Sequence, residues 1–333
     1  MGNWKLKSAV HRTLSWLPHS HRWNALLQRH VTRGYFASAA TFEAKLGCCR
    51  RHLSHLRRFG GRPAGGFAAL ELGTGSWPIV PIGLFLCGAD RIWSYDLVPV
   101  LEPATLRHTL GQFAAAIHAG SLPRLLPELQ PDRLAQLTAV IARAGPETPA
   151  EVLSHLNIHV RIGDARHTDL PAGAVPLVFS TVVFEHIPRT VLAGLLTEFR
   201  RVLTPDGVMS HQIGLADQFA SFDRSITPYN FLRYTERQWR WLNSPMIPQT
   251  RLRLADHRAL YRENGFDVVH EENVTGSAAD LRSVPLAPQF RTHAFDDLLA
   301  LYSWLVGRPS APPHAQGRAT SRTGEPSTTT APA

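Results

Sequence analysis

Two glycines and two carboxylates define the chemistry open to this chain. Residues 67–72 form an apolar run that ends in Glu71-Leu72-Gly73-Thr74-Gly75, a second apolar run covers residues 79–89, and residues 92–95 lead into Asp96. Glycine at both turn positions lets the backbone bend sharply and lets a ligand approach the main chain; Pro78 suits the first turn of a helix. Asp96, about two dozen positions beyond Glu71, stands where a strand-turn-helix-strand unit presents a carboxylate to the two hydroxyls of a ribose. A dinucleotide fingerprint needs a third glycine for close helix packing, and Ser76-Trp77-Pro78 follows here instead, which weighs against NAD or FAD. The Tyr-x-x-x-Lys pair of many nicotinamide oxidoreductases is also absent.

Further segments follow in a definite order. Residues 159–162 read as a short strand ending in Gly163-Asp164-Ala165-Arg166, and residues 175–180 read as a buried strand that runs into Thr181-Val182-Val183-Phe184-Glu185-His186-Ile187-Pro188. Residues 189–203 carry Val191, Leu192, Leu195, Leu196, Phe199 and Leu203 at helical spacing; Thr204-Pro205-Asp206-Gly207 stops that helix, and 208–215 is a fifth strand. The series resembles the class I S-adenosylmethionine-dependent methyltransferases, of the methyltransferase type 11-like kind, whose first motif is an acid-x-Gly-x-Gly turn.

The resemblance implies an α/β fold, a Rossmann-like doubly wound, mostly parallel seven-stranded sheet with a helical insertion and amino-terminal helices. It implies S-adenosyl-L-methionine as cofactor, with Glu71, Gly73, Thr74 and Gly75 along the methionine portion, Asp96 and Leu97 at the ribose and adenine edge, Asp164 and Ala165 at the adenine, and Ser180, Thr181 and Val182 in the cleft beside the sulfonium. The implied reaction moves a methyl group to a small-molecule, sugar or lipid-linked acceptor, on oxygen. A hydroxyl acceptor must lose its proton as the methyl arrives, and a histidine near its ordinary pKa can take it. His211, His186 and Glu185 are the candidates. Two other readings stand beside this one: a methyltransferase-like binding protein without turnover, and a NAD(P)-dependent oxidoreductase.

The elements that must position these residues fit within 333 residues, of which 44% are hydrophobic, enough for a sizeable core. Three cysteines, Cys48, Cys49 and Cys87, make no disulfide framework and point to a reducing, cytoplasmic compartment. Residues 1–60 read as amino-terminal basic amphipathic helices, 61–308 as the methyltransferase domain, and 309–333, rich in Pro, Ser, Thr, Ala and Gly, as a disordered tail. The net charge is +9, and residues 1–42 hold no acid, so residues 1–33 offer a peripheral contact with an anionic membrane; the alternative is a helix packed over the cofactor cleft. Thr41 begins a helix with Phe42, Leu46, Cys49, Leu53 and Leu56 on one face.

Residues 102–157 read as a helical insertion that roofs the cofactor, shapes the acceptor site or thickens the core. Residues 217–255 read as a lid-like segment: its aromatics and arginines form either a wall against the acceptor or a packed excursion. The basic residues are spread out, with no zinc-finger spacing, which makes nucleic acid a poor partner. Seventeen histidines include the close pairs His19/His21, His52/His55 and His155/His159, read as surface pairs with no metal site.

Overall fold

A computed structural model describes residues 36–61, 66–143, 145–243 and 248–310. Seven strands, β1 (Phe67–Leu72), β2 (Ala89–Asp96), β3 (Ile158–Ile162), β4 (Val175–Thr181), β5 (Leu203–Gly214), β6 (Phe266–Thr275) and β7 (Ala300–Pro309), form one sheet in the order β3-β2-β1-β4-β5-β7-β6. β1 to β5 pair in parallel, and β7 runs antiparallel between β5 and β6. β1 and β4 are nearly continuous apolar runs because both of their faces are covered, as a central parallel strand requires. The strand order reverses between β1 and β4, so a crevice opens at their carboxyl ends, where such sheets bind ligands.

One face of the sheet carries α1 (Ala39–Phe59), α2 (Ile79–Leu86), α3 (Pro103–His118), α4 (Leu122–Leu125), α5 (Pro131–Ala142) and α6 (Pro149–Ser154). Ser38 caps α1 by accepting the Thr41 N–H at 3.1 Å, and the expected stripe of Phe42, Leu46, Cys49, Leu53 and Leu56 is buried. Residues 102–157 take the core-thickening role: Phe113 of α3 meets Phe42 of α1 edge-on at 4.9 Å, and His108 and Gln112 both donate to the Ala37 carbonyl. The other face is covered by α7 (Arg189–Val202) and, later in the chain, the helix Leu254–Glu263, whose apolar sides pack on Leu70, Val178 and Met209. β5 begins at Leu203, ahead of the expected turn, with a register irregularity between Val175 and Leu177 absorbing the extra residues.

Of the two readings of segment 217–255, the packing favours the packed excursion. Phe219, Tyr229, Phe231 and Trp239 (in α8, Glu236–Leu242) bury against Leu281, Phe290 and Leu298 in a cluster of their own. The helix Leu254–Glu263 is α9, and α10 (Ala278–Arg282) and α11 (Phe295–Leu299) close this cluster. Two of its arginines serve backbone carbonyls: Arg253, fully buried, donates to Leu215 at 2.5 Å, Leu298 at 3.0 Å and Ala300 at 2.7 Å, and Arg251 donates to Phe231 at 3.1 Å. Ser310 donates from its N–H to Gly265, so the packed chain runs past the expected start of the tail. The proposed membrane-contacting residues 1–33 and the tail from 311 lie outside the described residues. No helix among the described residues is long and apolar enough to cross a membrane.

Candidate active site

The glycine turn and Asp96 meet at the crevice. Gly73 and Gly75 take φ of +76° and +65°, conformations that L side chains adopt only with strain, and Gly73 N–H donates to the Tyr95 carbonyl at 2.8 Å. A Cβ on Gly73 would lie 2.7 Å from Val183 Cγ2, whereas one on Gly75 would meet nothing within 4 Å: the turn is packed beneath and open above. The Gly75 N–H faces both Asp96 carboxylate oxygens at 3.3 and 3.4 Å. Burial pushes the Asp96 carboxyl up to about 6, against the pull of the Gly75 and Thr74 N–H groups.

Glu71 lies under the turn. Its carboxylate accepts from Thr74 Oγ1 at 2.5 Å and Ser94 Oγ at 3.0 Å, and burial raises its pKa to about 7. It shapes the loop from below. On the β3 side, Gly163 N–H donates to the Asp96 carbonyl at 3.0 Å, Ala165 is buried, and Leu97 is 74% exposed. Asp164 grips Arg166 through Nε and Nη2, which pulls its pKa down to about 2, so it arrives at the crevice already ion-paired.

At the end of β4, Val182 holds φ of +58°, strained for a β-branched residue, and is pinned by its N–H to the Gln212 carbonyl at 2.8 Å. Thr181, Val182 and Gln212 form one wall of a cleft of about 390 Å³; Thr41, Lys45 and Cys48 of α1 are prominent on the other. Cys48 Sγ reaches across to Gln212 Oε1 at 3.3 Å. Because Val183 touches Gly73, this cleft adjoins the glycine-turn crevice.

The expected bases are not gathered there. His211 is corrected: alternation along β5 turns Ser210 and Gln212 toward α1 and His211 to the opposite face, where it is fully buried, stacked on Phe184 at 4.2 Å and bonded to Ser180 Oγ at 2.7 Å. Burial lowers its pKa to about 3. Ser180 therefore also faces the interior. Glu185 is buried, its Oε2 has no hydrogen-bond partner among the described residues, and burial lifts its pKa to about 8. His186 donates from Nδ1 to the Pro248 carbonyl at 2.8 Å, and burial lowers its pKa.

The reading of His52 and His55 as a surface pair is also corrected. They are 0% and 5% exposed and share a hydrogen-bonded network with Ser210 and Thr181. Sequence reasoning missed these residues and the cleft residues Lys45, Cys48 and Gln212; for all but Gln212, on β5, the signal was a second, polar stripe on α1.

A family model described as a methyltransferase domain matches residues 131–210. No curated protein matches the sequence. Among solved structures, the chain is similar to one from Haloferax volcanii, a complex between the Trm112 methyltransferase activator and the putative methyltransferase, at 16% identity over 82% of this chain and 96% of that one, TM-score 0.40. A putative sarcosine dimethylglycine methyltransferase from Galdieria sulphuraria aligns at 14% identity over 80% and 85%, TM-score 0.42. A geranyl diphosphate C-methyltransferase from Streptomyces coelicolor, solved with Mg2+, geranyl diphosphate and S-adenosyl-L-homocysteine, aligns at 11% over 79% and 78%, TM-score 0.44.

The residues present fit a sulfonium nucleoside in kind: the main chain at Gly75 is open, with nothing within 4 Å of an added Cβ, and Asp96 beside it offers an acceptor for ribose hydroxyls. The reversed strand order with its ordered motifs, and the methyltransferase-domain model matched over residues 131–210, support a class I S-adenosylmethionine-dependent methyltransferase with S-adenosylmethionine as its cofactor.

Proposed function

We propose that the chain methylates an oxygen of a small-molecule, sugar or lipid-linked acceptor seated in the cleft between α1 and the ends of β4 and β5. Gly73, Thr74 and Gly75 frame the methionine portion of the cofactor, with Glu71 holding that turn in shape. Asp96 takes the ribose, while Leu97, Asp164 and Ala165 border the adenine, and Thr181 and Val182 face the acceptor. When bound, the cofactor supplies an electrophilic methyl on a sulfonium. The protein's own contribution is to bind, orient and desolvate the acceptor. The strained Val182, pinned by Gln212, fixes the floor of that cleft.

Of the expected bases, His211 is sealed in the core and Glu185 keeps its proton to about pH 8, so at neutrality it can donate a hydrogen bond but not accept a proton. His186, which gives its Nδ1 proton to Pro248, retains a lone pair on Nε2, but it is not among the residues that line the cleft.

The observation that carries this reading is the Gly75 N–H at 3.3 Å from the Asp96 carboxylate beneath open space, next to a second cleft. Calorimetric titration with S-adenosylmethionine and with NAD, on the wild type and on Asp96→Ala, tests it. Binding of the first alone, weakened in the variant, is expected; NAD binding without S-adenosylmethionine binding would refute it. Incubating labelled cofactor with fractionated metabolites then searches for the acceptor, and cofactor binding without transfer to any fraction would favour a binding protein without turnover.

A further inference from the structure

We propose that Thr181, His52, Ser210 and His55 form a proton relay from the acceptor cleft to the outer edge of the α1 face, which takes up the acceptor's proton as the methyl arrives. The inference rests on the oxygen-methylation reading above. Its first member, Thr181, lines the cleft. From there Thr181 Oγ1 meets His52 Nε2 at 3.2 Å, His52 Nδ1 meets Ser210 Oγ at 2.8 Å, and Ser210 Oγ meets His55 Nδ1 at 2.8 Å. His52 and Ser210 are fully buried, while His55 keeps 5% of its surface and lies against His270, whose side chain is 25% exposed.

The shared hydroxyl makes this arrangement directional. Ser210 has one proton for two ring nitrogens, so it donates to one Nδ1 and accepts from the other. With neutral rings, one histidine must then carry its proton on Nδ1 and the other on Nε2, and the bonds point the same way from end to end. Neutral rings are what the surroundings favour: burial drives the His52 pKa well below its ordinary value and the His55 pKa to about 4, with Lys45 near His52 and Arg51, Arg58 and His270 near His55 opposing a further positive charge. Glu272 pulls His55 the other way, less strongly than burial does.

One passage balances as follows. The acceptor hydroxyl gives its proton to Thr181 Oγ1 as its oxygen bonds the incoming methyl, and the Thr181 proton moves to His52 Nε2. The His52 Nδ1 proton moves to Ser210 Oγ, the Ser210 proton to His55 Nδ1, and the His55 Nε2 proton to water. No imidazolium is stored. The chain of bonds now points the other way, and the reverse shift resets it once product has left: outer water reprotonates His55 and water in the emptied cleft takes a proton from Thr181, so the relay takes up the acceptor's proton during methyl transfer and the net proton of the turnover leaves through the open cleft.

Two measurements on the full chain bound to S-adenosylhomocysteine test this with ¹⁵N-histidine labelling, using His52→Gln and His55→Gln for assignment. Nitrogen shifts should show opposite neutral tautomers for His52 and His55; identical tautomers would overturn the relay. Exchange of the His52 ring proton with solvent should be fast, and slower by at least about tenfold in Ser210→Ala and His55→Gln but not in Thr181→Val, which leaves the outer half intact. A purely structural network predicts slow exchange in the wild type and no dependence on His55, and that result would also overturn it. Failure to bind S-adenosylhomocysteine at all would instead strike the methyltransferase reading.

Discussion

Replacing Glu185 with Gln should flatten the pH dependence of stability between about pH 5 and 8. Glu185 is 6% exposed, and burial moves its carboxyl from an ordinary 4.5 to about 8, with the N–H groups of Glu185 and Gly214 and the charge of Lys45 opposing the rise. The folded chain thus holds a proton that the unfolded chain has released. Its contribution is fully present below about pH 4.5 and is lost as pH rises through about 8, at about 1.4 kcal/mol per pH unit. Over that window the loss is on the order of 5 kcal/mol. Glu71 and Asp96, raised to about 7 and about 6, act with the same sign, whereas the buried histidines His211, His257 and His55 cost stability only as pH falls below their ordinary value of 6.5. The introduced amide is neutral throughout and nearly isosteric with the carboxyl it replaces, so the difference between wild type and Glu185→Gln isolates one ionisation. Urea midpoints for the two proteins at half-unit steps of pH measure it. Parallel curves would refute the placement of a buried, protonated acid behind the cleft.

Asp96→Ala should weaken S-adenosylmethionine binding about 10- to 100-fold, the worth of hydrogen bonds to a charged group, while leaving the melting curve cooperative; calorimetry reads it. Gly75→Val should abolish that binding, because the side chain enters the open space above the turn, and should cost the fold only about 1–2 kcal/mol for a non-glycine at positive φ. Unchanged affinity would move the cofactor elsewhere. Arg253→Met should lower unfolding free energy on the order of 3–5 kcal/mol in urea, because the carbonyls of Leu215, Leu298 and Ala300 lose a buried donor. A loss under about 1 kcal/mol would mean that those carbonyls find other partners.

The crevice was legible because its parts are local. A glycine turn after an apolar run and an acid at the end of the next run need only strand and helix periodicities to be brought together, and Gly75 and Asp96 indeed meet. The helices of the insertion were legible for the same reason. What misled was orientation: a strand residue's neighbours face the other way, and nothing in the run Ser210-His211-Gln212 says which face belongs to the cleft. The aromatic-rich segment 217–255 stayed ambiguous because arginines and aromatics serve an acceptor wall and a small private core equally well in composition. Only the burial of Arg253 against carbonyls separates the two.

The same difficulty hides in α1, and its resolution explains why one helix does three jobs. Phe42, Leu46, Cys49, Leu53 and Leu56 make the apolar stripe. Thr41, Lys45, Cys48, His52 and His55 repeat the same spacing one residue earlier, a stripe rotated by about 100° around the helix. Packing the first stripe against α2 and the sheet fixes the second: its amino-terminal half becomes the cleft wall through Thr41, Lys45 and Cys48, and its carboxyl-terminal half sinks onto Ser210 and Thr181 through His52 and His55. Polar residues in such a position would ordinarily be costly, since burial without partners loses more than packing returns. Here Ser210, standing on the α1 face of β5, accepts that stripe, while His211 beside it serves the opposite face. Apolar periodicity alone makes α1 an ordinary amphipathic helix; the partner hydroxyls on β4 and β5, far away in sequence, are what turn its second stripe inward.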